Sequence, residues 1–528
     1  MRSFATRTAL LLAILCTAAV LPSASFTLLS SAQRRRVSIA AFAGGKQSRE
    51  ISNIAVAVDT TQDKGNALYE PSAAFIGNAP TAVLADIGID ELKENLGEPQ
   101  AVDIVRDLDG CPLTTEYFKE TMGITDVESY SCPENEAFRG LMSNACRVHL
   151  YPGGQTAFYK RIVFENIDHC QEKLKTAPHK LIRDAKSCEV VASFLLSKAC
   201  KAMVEQTGVH IPKCYDVKQE PDFSNPMKSK FSFLFEDFGP SDGWYQEWLL
   251  QDVETCKAAL TTYAKIHAFF WDGSSFWQDG EAAKELEEGI WKSGSYVQPE
   301  AQGLDQCKKV AGEWATKRLK FERELSSLGF WDNLGERLES IAEECGRLAH
   351  PFADDILSEQ YKKYRTFTHG DPKQANLFFR STTESEPIQV GLCDFQWSGF
   401  GLAASDIAHF LTSGVHADML IGGGEDTLLR YYFDELQKYR VEYGAFETVD
   451  DAVEDFSYGV FIDQYETGLL DICRLMIAYT WARFTEPVEK NDKAGCARTM
   501  NKTSYNKSIP NVVWLLSRCD EIMKSRGV

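Results

Sequence analysis

Two apolar runs, Leu377–Arg380 and Ile388–Cys393, stand on either side of the polar turn Ser381–Pro387. Short runs bounded by turn residues read as a β-hairpin. The hairpin interrupts a half of the chain whose apolar residues otherwise recur every three or four positions. Val253, Cys256, Leu260, Tyr263, His267 and Phe270 form one such stripe, and Leu334, Leu338, Ile341, Cys345 and Leu348 another, the period of an amphipathic helix. A hairpin constrains more than its own residues, because antiparallel pairing sets the start of one strand beside the end of the other. Asn376 and Asp394 lie 18 positions apart in sequence and are thereby expected to be neighbours.

Chemistry-bearing residues crowd both ends of this ribbon. Ahead of it stands His369-Gly370-Asp371-Pro372-Lys373-Gln374-Ala375-Asn376, and behind it Asp394-Phe395-Gln396. An amide oxygen and a carboxylate converging on one point are hard oxygen donors, suited to Mg²⁺. Asp371 is close enough to face a substrate hydroxyl beside the same metal. Phosphoryl transfer needs little else: phosphates held, charge neutralised by metal, and a base for the hydroxyl. Polar decoration of a surface loop is the plainer alternative. A fixed H-G-D-x-x-x-x-N with D-F-Q at hairpin distance is too specific a pattern to favour it.

Upstream the pattern is β-rich. Ala145–Tyr151 and Ala157–Val163 flank a turn at Pro152-Gly153-Gly154, and Phe231–Phe235 is an apolar strand ending in Glu236, Asp237 and Gly239. Leu113–Met122 reads as a helix with Thr114 and Thr115 near its start, and a second helix is expected from about Ile182 to Glu205. The plan is a small β-rich lobe followed by a large α-rich lobe that contains one hairpin.

The motif residues resemble the catalytic loop and metal motif of the aminoglycoside phosphotransferase and choline kinase superfamily. Combined H-G-D and D-F-Q are most similar to its ecdysteroid-kinase-like branch, also called CHK kinase-like. The resemblance spans roughly residues 110 to 485. It implies an α+β, protein-kinase-like bilobal fold and ATP- and Mg²⁺-dependent phosphorylation of a small-molecule hydroxyl, such as that of an amino alcohol, sterol, sugar or aminoglycoside. It also implies that Asp371 is the catalytic base and that Asn376 and Asp394 are the metal ligands.

The same resemblance assigns roles in the small lobe. Lys160, on the Ala157–Val163 strand, would hold the nucleotide's phosphates, and Glu189 would hold the lysine. A buried lysine without a partner tends to lose its proton, and a glutamate keeps it charged. Cys188-Glu189-Val190-Val191 resembles the family's R-E-V element without its arginine. Gly140-Leu141-Met142-Ser143-Asn144 resembles the phosphate-covering turn, making Gly140 and Ser143 candidates for phosphate contact, although it lacks the three glycines of protein kinases and an ordinary turn fits equally. Phe235-Glu236-Asp237-Phe238 resembles the hinge, where backbone groups around Glu236 to Phe238 would bind adenine. Lys373 stands where several protein kinases carry a lysine that meets the γ-phosphate, and a cation there could stabilise developing charge. His369 is expected to brace the loop by hydrogen bonds, Asp406 to steady it from a helix, and His267 to be a satisfied core histidine. His409 and His416 carry no metal-ligand pattern.

Composition narrows the field further. Acidic residues number 76 against 56 basic ones, giving a formal charge of −20, a poor match to nucleic acid. Residues 1–49 contain no acid. There Arg2 and Arg7 precede an apolar run, Ala9–Leu21, and small residues follow before Phe26, the order of a secretory signal peptide. The Ser-, Ala- and Arg-rich stretch beyond has the composition of a transit peptide. Ser23-Ala24-Ser25-Phe26 resembles the cleavage junction of two-part presequences in algae with secondary plastids. A plastid address is expected, with ordinary secretion as the alternative. The apolar run is short for a membrane span, and no other segment approaches that length. Fifteen cysteines are dispersed without a C-x-x-C pair, which argues against a zinc knuckle and for reduced thiols.

The expected domains are a leader at 1–49, a linker at 50–109 with a short helix around Asp90–Glu98, a small lobe with hinge at 110–239, and a helical lobe at 240–528. No G-x-S-x-G, H-E-x-x-H or Walker A pattern occurs. A protein kinase is disfavoured, since A-P-E is missing and the stretch from Asp394 to Asp406 is too short for an activation loop. The competing class is a nucleotide-binding scaffold of the same fold that has lost catalysis. Trp244, Tyr245, Trp271 and Trp397 could bind a cationic alcohol, but a core role suits them better. The expected partner is a small hydroxyl substrate, with the chain a monomer or homodimer.

Overall fold

The computed structural model describes residues 25–30, 33–38, 57–58, 105–133, 136–139, 143–247, 249–381, 386–480 and 509–528. The chain divides into two compact units, Met1–Glu70 and Pro71–Val528. In the first, β1 (Ser25–Ser30) pairs antiparallel with β2 (Gln33–Ser38), which pairs with β3 (Ala57–Val58). The apolar run Ala9–Leu21 and the helix expected around Asp90–Glu98 lie outside the described residues.

The second unit is α+β, a small antiparallel sheet followed by a larger helical part. The sheet runs in the order β4 (Val127–Ser131), β6 (Asn144–Pro152), β7 (Thr156–Val163), β9 (Lys230–Glu236), β8 (Cys214–Glu220), with β5 (Ala137–Arg139) also on β6. Alternation along the strands sends side chains to two different cores. Val148, Leu150, Ala157, Tyr159 and Leu234 pack with Phe118 of the Thr115–Met122 helix. Ile162, Phe231 and Phe233 pack on the other face with Leu181, Ala185 and Cys188 of the His179–Leu196 helix. Lys160 alternates with Tyr159 and so belongs to this second face.

The helix expected from Ile182 to Glu205 is two helices, His179–Leu196 and Lys198–Thr207. Ser197 separates them in an extended conformation, and its side chain accepts from the Cys200 N–H to cap the second. The helical part is built around Tyr458–Ala478, buried continuously from Thr467 onward, against which Leu334–Ala349, Ala403–Gly414 and Ile509–Ser525 pack. Val253–Phe269 packs on Gly424–Glu442 beside them.

Two small antiparallel ladders sit within this helical part. The expected hairpin is β11 (Leu377–Arg380) with β12 (Gln389–Leu392), in the register Leu377 to Leu392. A second ladder pairs β10 (Arg365–Thr368) with β13 (Gly399–Leu402) and was not expected. Its strands are four residues each and buried without alternation, so they carry no period-two signal. None of the described helices is long and apolar enough to cross a membrane.

Candidate active site

The two ladders place the candidate residues. The loop 369–376 leaves β10 and enters β11, and Asp394 follows β12. Beyond the last hairpin pair the ladder continues, with Cys393 N donating to Asn376 O at 3.1 Å. Asn376 therefore lies directly across from the residue before Asp394. The amide nitrogen of Asn376 donates to the Asp371 carbonyl at 2.8 Å and approaches its Oδ2 at 3.5 Å. That orientation commits the nitrogen to the loop and leaves the amide oxygen as the donor atom for a cation.

Glycine at 370 is required twice. Its φ is +76°, and a Cβ there would stand 2.1 Å from the Trp397 carbonyl oxygen, a distance no side chain tolerates. The backbone on either side is held by Asp406, in the first turn of the Ala403–Gly414 helix. Oδ2 of Asp406 accepts from His369 N at 2.8 Å, and Oδ1 accepts from Gly370 N at 3.0 Å. Burial works against the charge of this carboxyl, but His267 and the loop amide outweigh it and hold its pKa below the usual carboxylate range. His267 lies 3.3 Å from Asp406 through Nε2 and 2.6 Å from the Tyr432 hydroxyl through Nδ1. It is fully buried and satisfied. His369 reaches the Cys393 carbonyl through Nε2 at 3.0 Å, linking the loop to the far end of the hairpin.

Two lysine–aspartate pairs form the charged centre. Lys373 Nζ lies 2.6 Å from Asp371 Oδ2, and Lys160 Nζ lies 3.1 Å from Asp394 Oδ1. Burial penalises both ammonium groups, yet the facing carboxylates raise both pKa values above the ordinary lysine range. Asp394 is affected in reverse. Burial raises its pKa, Lys160 and Lys373 lower it by more, and it stays ionised. Asp394 also holds a left-handed backbone, φ +65°, which is costly for a residue with a Cβ.

The pairing expected for Lys160 is corrected here. Its carboxylate partner is Asp394, from the helical lobe, while Glu189 pairs with Lys186 of its own helix at 3.5 Å. Lys160 stands opposite Ala145 and Phe233 in the sheet, and the backbone turn at Asp394 brings that carboxylate to it. Lys186 stands three residues before Glu189, which is helical contact distance. Gly140 lies outside the described residues. Ser143 is half-buried in the coil before β6.

At the hinge, Glu236 uses its carboxylate on the Lys213 N–H at 3.0 Å, and Phe238 stacks on Trp244 with ring centroids 4.4 Å apart. Both side chains are thus engaged within the protein. Asp237 is bound by buried Arg147 of β6, with Nε and Nη2 donating to its carboxylate at 2.5 and 3.1 Å. This clamp from sheet to hinge was not seen in the sequence, where one arginine in a strand carries no signal for so distant a partner.

Of the four aromatic candidates, Trp244, Trp271 and Trp397 are buried and Tyr245 is half-buried. The faces of Trp244, Trp271 and Trp397 are covered by Arg380, Arg440 and Arg183, at 4.5, 4.1 and 5.2 Å from the ring centroids. Tyr245 lies against Phe379. Among the described residues the cysteines are all free thiols, and no group of three or more His, Cys, Asp or Glu is arranged to hold a metal. The donor set at the hairpin is one amide oxygen and one carboxylate. That suits Mg²⁺, which keeps several waters and takes further oxygens from phosphates.

The model of the ecdysteroid kinase-like family matches residues 192–444, just under half of the chain. The matched stretch contains Asp371, Asn376, Asp394 and the hinge, and it falls in the branch that the H-G-D and D-F-Q motifs resemble. No curated protein matches the chain. Among solved structures, a putative aminoglycoside phosphotransferase from Ralstonia eutropha is 14% identical, covering 78% of this chain and 97% of its own, with a TM-score of 0.37. An ethanolamine kinase from Plasmodium vivax is 10% identical, covering 80% and 93%, with a TM-score of 0.36. Amicoumacin kinase, solved with AMP-PNP and Ca²⁺, is 10% identical, covering 75% and 94%, with a TM-score of 0.31.

Proposed function

We propose that this protein is an ATP- and Mg²⁺-dependent phosphotransferase that acts on a hydroxyl of a small molecule. The observation that carries the reading is the convergence of Asp371, Lys373, Asn376, Asp394 and Lys160 on the ends of one hairpin. Asn376 and Asp394 would hold the metal, and Lys160 would release Asp394 to take phosphate oxygens. When bound, Mg²⁺ neutralises phosphate charge. Asp371 orients the acceptor hydroxyl and receives its proton. Lys373, already on Asp371, adds positive charge where negative charge grows.

The test is a transfer assay with γ-labelled ATP, Mg²⁺ and fractionated metabolite extracts. We expect label to appear in a small organic phosphate. Nucleotide binding with no transfer to any fraction would instead favour a catalytically inactive scaffold, and label in added generic proteins would favour a protein kinase.

A further inference from the structure

The helix Ala403–Gly414 reads Ala-Ala-Ser-Asp-Ile-Ala-His-Phe-Leu-Thr-Ser-Gly and is buried along nearly all its length. A histidine in such a helix loses the hydration of its ring and needs polar company inside the protein. His409 is 2% exposed. It follows Asp406 by three positions, which puts both side chains on one helical face. Asp406 already grips the backbone of residues 369 and 370. One turn on, the imidazole Nε2 of His409 lies 3.7 Å from Oδ1 of Asp371. The other oxygen of that carboxylate is taken by Lys373.

We propose that His409 is a positioning residue for the transfer reaction, its Nε2–H directed at Asp371 Oδ1 so that the carboxylate cannot rotate away from the acceptor hydroxyl. This rests on the phosphotransferase reading and deepens it. The separation exceeds an N–H···O hydrogen bond by about half an ångström, and contacts of this kind tighten when a substrate is held. Charged and titratable groups acting on the imidazole include Asp371, Lys373 and His369 from the loop and Asp406 from its own helix. Burial dominates among these influences and lowers the His409 pKa to about 4. The ring is therefore neutral at working pH, and it can steer the carboxylate without adding a positive charge that would weaken Asp371 as a base.

Two measurements decide it. In the full-length protein with ¹⁵N-labelled histidine, NMR should show His409 neutral from pH 8 to pH 5 with its proton on Nε2, and Asp371→Asn should move that signal. A bare Nε2, or a signal indifferent to Asp371→Asn, overturns the proposal without any need for an acceptor. In the transfer assay, His409→Leu should lower kcat about 10- to 100-fold with the KM for ATP within about twofold, as misplacement of a reacting group does. His409→Asn, which restores an N–H donor, should recover part of the loss. Unchanged kcat in His409→Leu, with Asp371→Asn inactive, sinks the role of His409 alone. Full activity in Asp371→Asn sinks the base assignment of Asp371 and the role of His409 with it, whereas no transfer by the unaltered protein sinks the phosphotransferase reading itself.

Discussion

Asp371 is 3% exposed, held through Oδ2 by Lys373 at 2.6 Å, with His409 Nε2 standing 3.7 Å from Oδ1. A carboxylate so fixed is expensive to bury and serves best where its direction matters. Asp371→Asn keeps the shape and removes the base. We expect turnover to fall ~10²–10⁴-fold while nucleotide affinity, measured by calorimetry, stays near that of wild type. At this scale the sequence was informative wherever a motif fixed the letters, as at Asp371, Asn376 and Asp394. It was silent where a partner comes from another element. The carboxylate on Lys160 comes from 234 positions away, and no local spacing distinguishes Asp394 from Glu189 as that partner.

Among elements, the Ala403–Gly414 helix anchors the loop 369–376. Asp406 accepts from two consecutive loop amides and lies 3.3 Å from Nε2 of His267. Asp406→Ala leaves those buried amides and the imidazole without an acceptor. We expect a loss of about 3 kcal/mol of stability, seen as a lower denaturant midpoint, together with loss of transfer. Gly370→Ala should be as damaging, since the added carbon meets the Trp397 carbonyl. Element identity was legible where periodicity was long, as in Val253–Phe269 and Leu334–Ala349. It failed for β10 and β13, where Arg-Thr-Phe-Thr and Gly-Phe-Gly-Leu are too short to show a period. The break at Ser197 was readable in principle, because serine is a favoured cap, but the apolar pattern runs through it.

For the molecule as a whole, the buried histidine has a thermodynamic signature. An unfolded imidazole titrates near 6.5, whereas His409 in the fold titrates at about 4. The unfolded chain thus binds the extra proton between those values. The contribution of this group is complete above about pH 6.5 and is lost as pH falls towards 4, by about 3 kcal/mol in all. Glu247 acts in the opposite direction, since burial pushes its carboxyl up to about 7 and the fold then favours its protonated form. The clean readout is the difference between wild type and His409→Leu in denaturant midpoint at pH 7 and pH 4.5. That difference should shift in favour of the variant as pH falls, and a constant difference would contradict the depressed pKa. The two-lobed α+β plan was legible in the switch from strand to helix patterning. The first unit's β1–β3 ladder was not, because its composition is that of a leader.

If the two ends of one hairpin hold a divalent ion against a nucleotide, nucleotide binding must depend on that ion and on Asp394. Calorimetry of ATP binding with and without Mg²⁺, in wild type and Asp394→Asn, measures this dependence. Asparagine tolerates the left-handed backbone at this position and removes only the charge. We predict Mg²⁺-dependent binding in wild type and loss of the Mg²⁺ dependence in the variant, with the fold intact by circular dichroism. Equal Mg²⁺ dependence in the two proteins would mean that Asp394 does not hold the ion.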